Sequence, residues 1–177
     1  LDCVHCSSTV GTDCSGQVKS CTDDQTHCQT ITSELIKDGR ATRGVFKFCA
    51  EAEAQNWIHR EELLTTFFQL EIQICNTDNC NQGPGQITPR DNTPNGVKCK
   101  QCFADKSVDC DTGETRECTG DMNKCLFMSG FVCHDGANYN CAHRVCTNMA
   151  SPEKYPFYYE VGDGTVKKLE VTEGISD

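Results

Sequence analysis

The sequence lacks any run of about 20 consecutive apolar residues, the length that a helix needs to cross a bilayer. Its last residues, LEVTEGISD, are hydrophilic and do not resemble the hydrophobic tail of a lipid-anchor signal. No signal peptide precedes Leu1-Asp2-Cys3, which we interpret as a processed N-terminus. No Asn-x-Ser/Thr triplet occurs, so we expect no N-glycosylation. These absences predict a freely soluble protein without a membrane anchor.

Basic residues are scarce. The chain has 16 Lys and Arg residues against 26 Asp and Glu residues, which gives a net charge of −10. Negative charge opposes binding to the phosphate backbone of nucleic acids and to anionic lipid surfaces, so we expect neither. It favours encounter with basic protein partners. The alternative interpretation is that acidity only keeps the protein in solution.

The chain also has few features of an enzyme or a metal protein. Five histidines and many carboxylates are present, but no Gly-x-Ser-x-Gly nucleophile motif accompanies them. Two C-x2-C motifs, Cys3-Val-His-Cys6 and Cys99-Lys-Gln-Cys102, have the form of redox centres, and zinc ribbons use such pairs. Each half of the chain has only one such pair, with further cysteines nearby, so we interpret both as structural disulfides. We expect no enzymatic activity, no metal and no cofactor.

Cysteine, by contrast, is abundant. The 177 residues include 16 cysteines, eight in each half, a density typical of a disulfide scaffold from an oxidising compartment. We therefore expect a secreted protein. Eight cysteines allow 105 pairings, so spacing alone leaves the connectivity open. Five cysteines fall at offsets 0, 3, 11, 18 and 25 from Cys3, and five more at 0, 3, 11, 19 and 26 from Cys99. This is an internal duplication.

The repeat predicts two disulfide-rich domains, at residues 1–81 and 97–177, the second with an atypical C-terminal end. Residues 82–96 (QGPGQITPRDNTPNG) hold three of the five prolines and form the predicted linker. Short segments between turn-forming residues favour strands over helices. A hairpin is expected with its turn at Lys37–Gly39, and a strand at TTFFQLEIQIC, whose apolar residues alternate. Glu51–Leu64, rich in Glu and Ala, predicts one or two helical turns.

Each domain resembles the three-finger fold of snake toxins, lymphocyte-antigen proteins and the urokinase receptor. The resemblance lies in the opening C-x2-C, the spaced cysteines, and the closing CNTDNCN with Asn81 after the last cysteine. It implies an all-β protein with two tandem three-finger domains. By position it implies the disulfides Cys3–Cys28, Cys6–Cys14, Cys21–Cys49, Cys75–Cys80, Cys99–Cys125, Cys102–Cys110 and Cys118–Cys141. Cys133 is then left for Cys146, and Cys133 and Cys141 are open to exchange.

Two groups of two-domain proteins look similar. The passage from Thr93 to Cys125 resembles amphibian sodefrin precursor-like factors, which are secreted courtship pheromones. The two-domain plan with Asn95-Gly96 before the second domain is similar to the gamma-type phospholipase A2 inhibitors of reptile serum. The first resemblance implies a receptor as partner, and the alternative implies a secreted phospholipase A2. Carriage of a small apolar ligand is a third hypothesis. The sequence makes no prediction of oligomeric state.

Aromatic residues predict where a protein partner binds. Trp57, with Ile58 and His59, lies in an acidic segment, where a Trp can anchor an interface or cover a small core. The second domain has more aromatic residues than a two-layer fold needs, so an interface is weighed there against ordinary packing. The candidate residues in the second domain are Phe127, Phe131, Tyr155, Phe157 and Tyr158.

Overall fold

The structure, a computed structural model, describes residues 1–111, 113–130, 139–154 and 166–176. In these ranges the chain forms thirteen strands and a single turn of 3-10 helix at Pro152–Lys154, which confirms the all-β prediction. No helix in the described ranges has the length and hydropathy to cross a membrane. The strands are β1 (Asp2–Ser8), β2 (Gln17–Ser20), β3 (His27–Lys37), β4 (Arg40–Ala50), β5 (Trp57–Leu63), β6 (Thr66–Cys75), β7 (Pro94–Lys100), β8 (Cys102–Asp105), β9 (Thr115–Thr119), β10 (Lys124–Gly130), β11 (Cys141–Thr147), β12 (Val166–Glu173) and β13 (Ile175–Ser176).

The chain divides into two compact units. Unit 1 comprises Leu1–Ile58 and Phe68–Pro89, and unit 2 comprises His59–Phe67 and Arg90–Asp177. The units follow the predicted domains except in two segments. Residues 59–67 lie inside the first repeat but belong to unit 2, and residues 82–89 lie in the predicted linker but belong to unit 1.

Unit 1 is built on one antiparallel sheet with the strand order β6-β3-β4-β1-β2. The β3–β4 hairpin is regular from His27, opposite Ala50, to Lys37, opposite Arg40. Its two-residue turn has positive φ at both positions, 50° at Asp38 and 78° at Gly39. Asp-Gly is favoured there because Gly adopts positive φ without steric cost and Asp tolerates it. The structure thus has the hairpin that the sequence predicts.

The predicted helical turns within Glu51–Leu64 are wrong, because β5 occupies the second half of that segment. Glu61 and Glu62 pair with Thr147 and Cys146 of β11. This pairing within unit 2 satisfies backbone groups that a helix would otherwise satisfy internally. Tertiary pairing here overrides the weak helix propensity of Glu and Ala.

Seven disulfides join described cysteines. Six have the pairing that the resemblance implies: 3–28, 6–14, 21–49, 75–80, 99–125 and 102–110. The seventh joins Cys118 to Cys146, so the expected pairs Cys118–Cys141 and Cys133–Cys146 are both wrong. Cys141 is disulfide-bonded, to a partner outside the described residues, where Cys133 also lies.

The register of the hairpins explains the corrected pairing. Cys28 lies opposite Cys49 in β3–β4, and Cys125 lies opposite Cys146 in β10–β11. Cys146 is therefore the structural equivalent of Cys49. The bridges Cys21–Cys49 and Cys118–Cys146 also have the same sequence separation, 28 residues.

Unit 2 contains the strand order β12-β10-β11-β5, with β8 also paired to β11, and a separate three-stranded sheet β13-β7-β9. Its hydrophobic core lies on β10, β11 and β12 and on the residues that follow β11. The buried members of this core are Leu126, Met128, Val145, Met149, Val166 and Leu169. This is the larger apolar cluster of the described residues, and it gives unit 2 a conventional core.

Unit 1 is closed by the side chain of Asn81, which is 5% exposed. Its Oδ1 accepts a hydrogen bond from the Val4 N–H, and its Nδ2 donates to the Val4 carbonyl, both at 2.9 Å. One amide therefore satisfies both backbone groups of a residue in β1, which an Asp or a Leu cannot do. The neighbouring disulfides of Cys3, Cys28 and Cys49 form a buried sulfur cluster.

Candidate functional site

The sheet of unit 1 buries a polar face. Along β3, β4 and β6 the residues of one parity are buried, and most of them are polar or charged. Gln69 Nε2 donates to Glu34 Oε1 at 2.9 Å, which shows that β6 and β3 share this face. We call it the inner face. Its buried polar side chains are Thr30, Thr32, Glu34, Lys47, Gln69 and Glu71.

Lys47 is the most buried charge of the inner face. Its side chain has no exposed surface, and its ammonium donates to Asp13 Oδ1 at 2.8 Å and to the Gly83 carbonyl at 2.6 Å. The Cys14 carbonyl is a third, longer contact at 3.4 Å. The hydrogen bond from Lys47 holds the pKa of Asp13 below its ordinary value. A buried ammonium needs this set of acceptors, because an unpaired charge is very costly away from water.

The predicted linker forms part of this arrangement. Residues 83–88, which we call the strap, lie along the inner face. The Gly85 N–H donates to the Thr12 carbonyl at 2.8 Å, and the Thr88 N–H donates to Glu71 Oε2 at 2.7 Å. Gln69 Nε2 also donates to the Thr88 carbonyl at 2.9 Å. Because the strap satisfies side chains that point out of the sheet, it covers a polar surface that would otherwise be wet.

The opposite face of the same sheet, which we call the outer face, is apolar. Ile31 lies opposite Phe46 in the β3–β4 register, and the Phe46 and Phe48 rings are 4.9 Å apart. Phe46 is 51% exposed and the other members are half-buried. Contiguous exposed apolar surface of this kind marks an interaction site. The outer face consists of Ile31, Leu35, Phe46, Phe48, Phe68, Leu70, Ile72 and Ile74.

The charges around the outer face lie only at its ends. No Asp or Glu of the described strands β3, β4 and β6 has the parity of this face. Lys37 and Arg40 are exposed at the hairpin turn, and Glu51 and Glu53 are exposed just after β4 ends, beyond Phe48. The centre is therefore uncharged in a chain of net charge −10. Such a surface fits an apolar partner whose charged groups lie at its periphery.

The predicted partner-binding residues are not brought together by this surface. Trp57 and Ile58 are half-buried in β5, and His59 is only 1% exposed, with Nε2 2.8 Å from Glu61 Oε1. Phe127 is 6% exposed and its ring lies 4.3 Å from the Arg144 guanidinium carbon. His59 and Phe127 therefore leave the set of surface candidates. The other predicted aromatic residues, Phe131, Tyr155, Phe157 and Tyr158, lie outside the described residues.

The sequence carried part of the signal for the outer face. The alternation of Phe68, Leu70, Ile72 and Ile74 predicts an apolar strand face correctly, but alternation alone does not say which face is exposed. The missing information is the inner face, since Glu34, Lys47 and Glu71 come together only in the folded sheet. A buried polar face frees the apolar one.

Two groups of sulfur atoms have the spacing of metal ligands. Cys3, Cys21 and Cys49 form one group, and Cys99, Cys118 and Cys146 form the other, with the atoms of each group within 4.8 Å of one another. All six sulfurs are in disulfides. A metal ligand must be a thiolate, so these groups are packed disulfides rather than metal centres.

Comparison with known proteins agrees with this architecture. The sequence model of the u-PAR/Ly-6 domain matches residues 1–83 and 95–169. A phospholipase A2 inhibitor of the gamma type from Laticauda semifasciata is 26% identical over 133 residues, which cover 73% of this chain and 72% of the relative. The phospholipase A2 inhibitor NAI of Notechis ater is 25% identical over 133 residues, which cover 73% of this chain and 66% of the relative.

A crystal structure of mouse TEX101 aligns over 100% of both chains, with 16% identity and a TM-score of 0.39. The family match extends over both cysteine repeats and most of the chain. It includes the spaced cysteines and Asn81, whose packing in the structure is described above. The chain belongs to the u-PAR/Ly-6 domain family.

Proposed function

We propose that this protein is an extracellular binding protein that inhibits a secreted phospholipase A2. The observation that supports this most directly is the outer face, an uncharged apolar surface on a disulfide-held sheet. The relatives named as phospholipase A2 inhibitors favour this target over a courtship receptor. Cysteine density supports an oxidising, extracellular location.

The chemistry of the target fits the surface. A phospholipase must contact aggregated phospholipid, so part of its own surface must be apolar. Burying that surface against the outer face removes apolar area from water on both sides, at roughly 25 cal/mol per Å². The chain acts here by recognition and needs no catalytic group of its own. The pheromone activity and the carriage of a small apolar ligand stay predictions.

The test is a binding titration with a panel of secreted phospholipases A2, acidic and basic, each at nanomolar concentration. We expect complex formation with one-to-one inhibition for at least one enzyme. Phe46→Asp places a charge in the centre of the outer face and should weaken binding at least tenfold. Val18→Asp is the matched control, because Val18 is 49% exposed but lies on β2, away from the outer face.

Both variants should keep wild-type thermal stability, since neither position is buried. Absence of a complex across the whole panel at micromolar concentration would overturn the proposed function. Equal binding by Phe46→Asp and wild type would remove the outer face from it.

A further inference from the structure

The shape of the outer face restricts how a phospholipase can be inhibited, and this step rests on the proposed function. The face lies on three adjacent strands, so it is about 20 Å long on β6 and about 10 Å wide between the outermost strands. It has no projecting loop at its centre, where Ile31 and Phe46 lie opposite each other on paired strands. A cleft that admits one phospholipid molecule is too narrow for such a sheet. The surface fits another flat surface.

The composition of the face indicates which surface that is. An aggregate of phospholipid offers apolar chains beneath a layer of anionic phosphates. An enzyme that works on it therefore needs an apolar patch with a cationic rim. The outer face offers apolar side chains at its centre and the exposed carboxylates of Glu51 and Glu53 at one end. The rest of the chain is acidic, with a net charge of −10. Both features complement a cationic rim.

We propose that the outer face covers the lipid-contacting surface of the phospholipase and leaves its catalytic cleft open. The enzyme in the complex then hydrolyses dissolved substrate but does not reach aggregated substrate. Inhibition is exclusion from the lipid surface, and the outer face takes the place of the aggregate.

The test compares two substrates with one enzyme from the panel. The first is a short-chain phosphatidylcholine below its critical micelle concentration, and the second is vesicles of anionic phosphatidylglycerol. At saturating inhibitor we expect hydrolysis of the dissolved substrate to change less than twofold and vesicle hydrolysis to fall at least tenfold. Cosedimentation of the enzyme with the vesicles should fall in parallel. The Phe46→Asp variant should lose both vesicle effects, and Val18→Asp should keep them.

The outcomes separate this inference from the proposed function. Equal inhibition of dissolved and vesicle substrate would show that the cleft is blocked, which overturns the inference and leaves phospholipase inhibition standing. A tight complex that still cosediments with vesicles would also overturn it. If no complex forms at all, the proposed function itself fails, as the binding titration reports independently of any substrate.

Discussion

Units 1 and 2 contain equivalent hairpins that differ in what they bury. In β3–β4 of unit 1 burial alternates, with the polar parity inside and the apolar parity half-exposed. In β10–β11 of unit 2 burial is continuous from Leu126 to Gly130, since β12 pairs along β10 and supplies Val166 and Leu169 to the core. The disulfides at the base of the two hairpins have the same arrangement.

The difference shows what a disulfide frame permits. A module held by several bridges does not need its apolar side chains for a conventional core, since each bridge closing about 28 residues contributes roughly 3–4 kcal/mol. In unit 1 the bridges, the strap and a polar inner face hold the sheet together, and the apolar parity is left for a partner. In unit 2 the same parity is used internally.

The largest expected effect tests the shared frame. Replacing Cys118 and Cys146 by Ala should lower the free energy of unfolding by about 3–4 kcal/mol, and replacing Cys21 and Cys49 should lower it by a similar amount. Guanidinium denaturation of the two double variants makes the measurement. Peptide mapping of unreduced wild-type protein is the control, and a peptide joining Cys118 to any cysteine other than Cys146 would contradict the equivalence of the hairpins.

A smaller effect tests the polar inner face. Lys47→Met leaves the carbonyls of Gly83 and Cys14 without their donor and should cost about 2–3 kcal/mol of unfolding free energy. The control is Lys100→Met in unit 2, where the lysine side chain is 48% exposed beside Asp111 and the change should be within about 0.5 kcal/mol. Equal losses in denaturant titrations would mean that the buried ammonium has no special role in unit 1.

The smallest effect is the pH dependence of the same contact. The hydrogen bond from Lys47 lowers the pKa of Asp13, so this carboxylate stabilises the folded state above its ordinary value of 3.8. The contribution is lost as the pH falls through the lower folded pKa. The denaturation midpoints of wild type and Asp13→Asn should therefore differ at pH 7 and converge in strong acid. In a Lys47→Met background the Asn substitution should have little pH-dependent effect; a constant offset between the curves would refute the assignment.

Sequence reasoning worked where a pattern was local or repeated. The duplication, the all-β class and the β3–β4 turn at Asp38-Gly39 all follow from spacing and turn chemistry. The equality of the separations 21–49 and 118–146 was also present in the sequence, but the resemblance to known three-finger proteins led to Cys141 instead. Register was the deciding fact, and register is set by pairing across the hairpin.

The remaining features required the folded chain. β5 is a strand because of pairing with β11, which no window of fourteen residues contains. The strap binds through backbone groups of Gly83, Gly85 and Thr88, and backbone groups leave no trace in composition. The exposure of Phe46 depends on the inner face, whose members are widely separated in sequence.

The location of the strap has a consequence for the ancestry of the chain. The repeat that was duplicated ends near Asn81, but the segment that folds with unit 1 continues through Pro89, and residues 59–67 fold with unit 2. The unit of inheritance and the unit of folding are therefore different. A recombinant of two family members joined at residue 82 would give unit 1 a foreign strap and would give unit 2 a foreign β5. Exchange of whole repeats between relatives is thus constrained by contacts that formed after the duplication, and the two halves are expected to evolve as a pair.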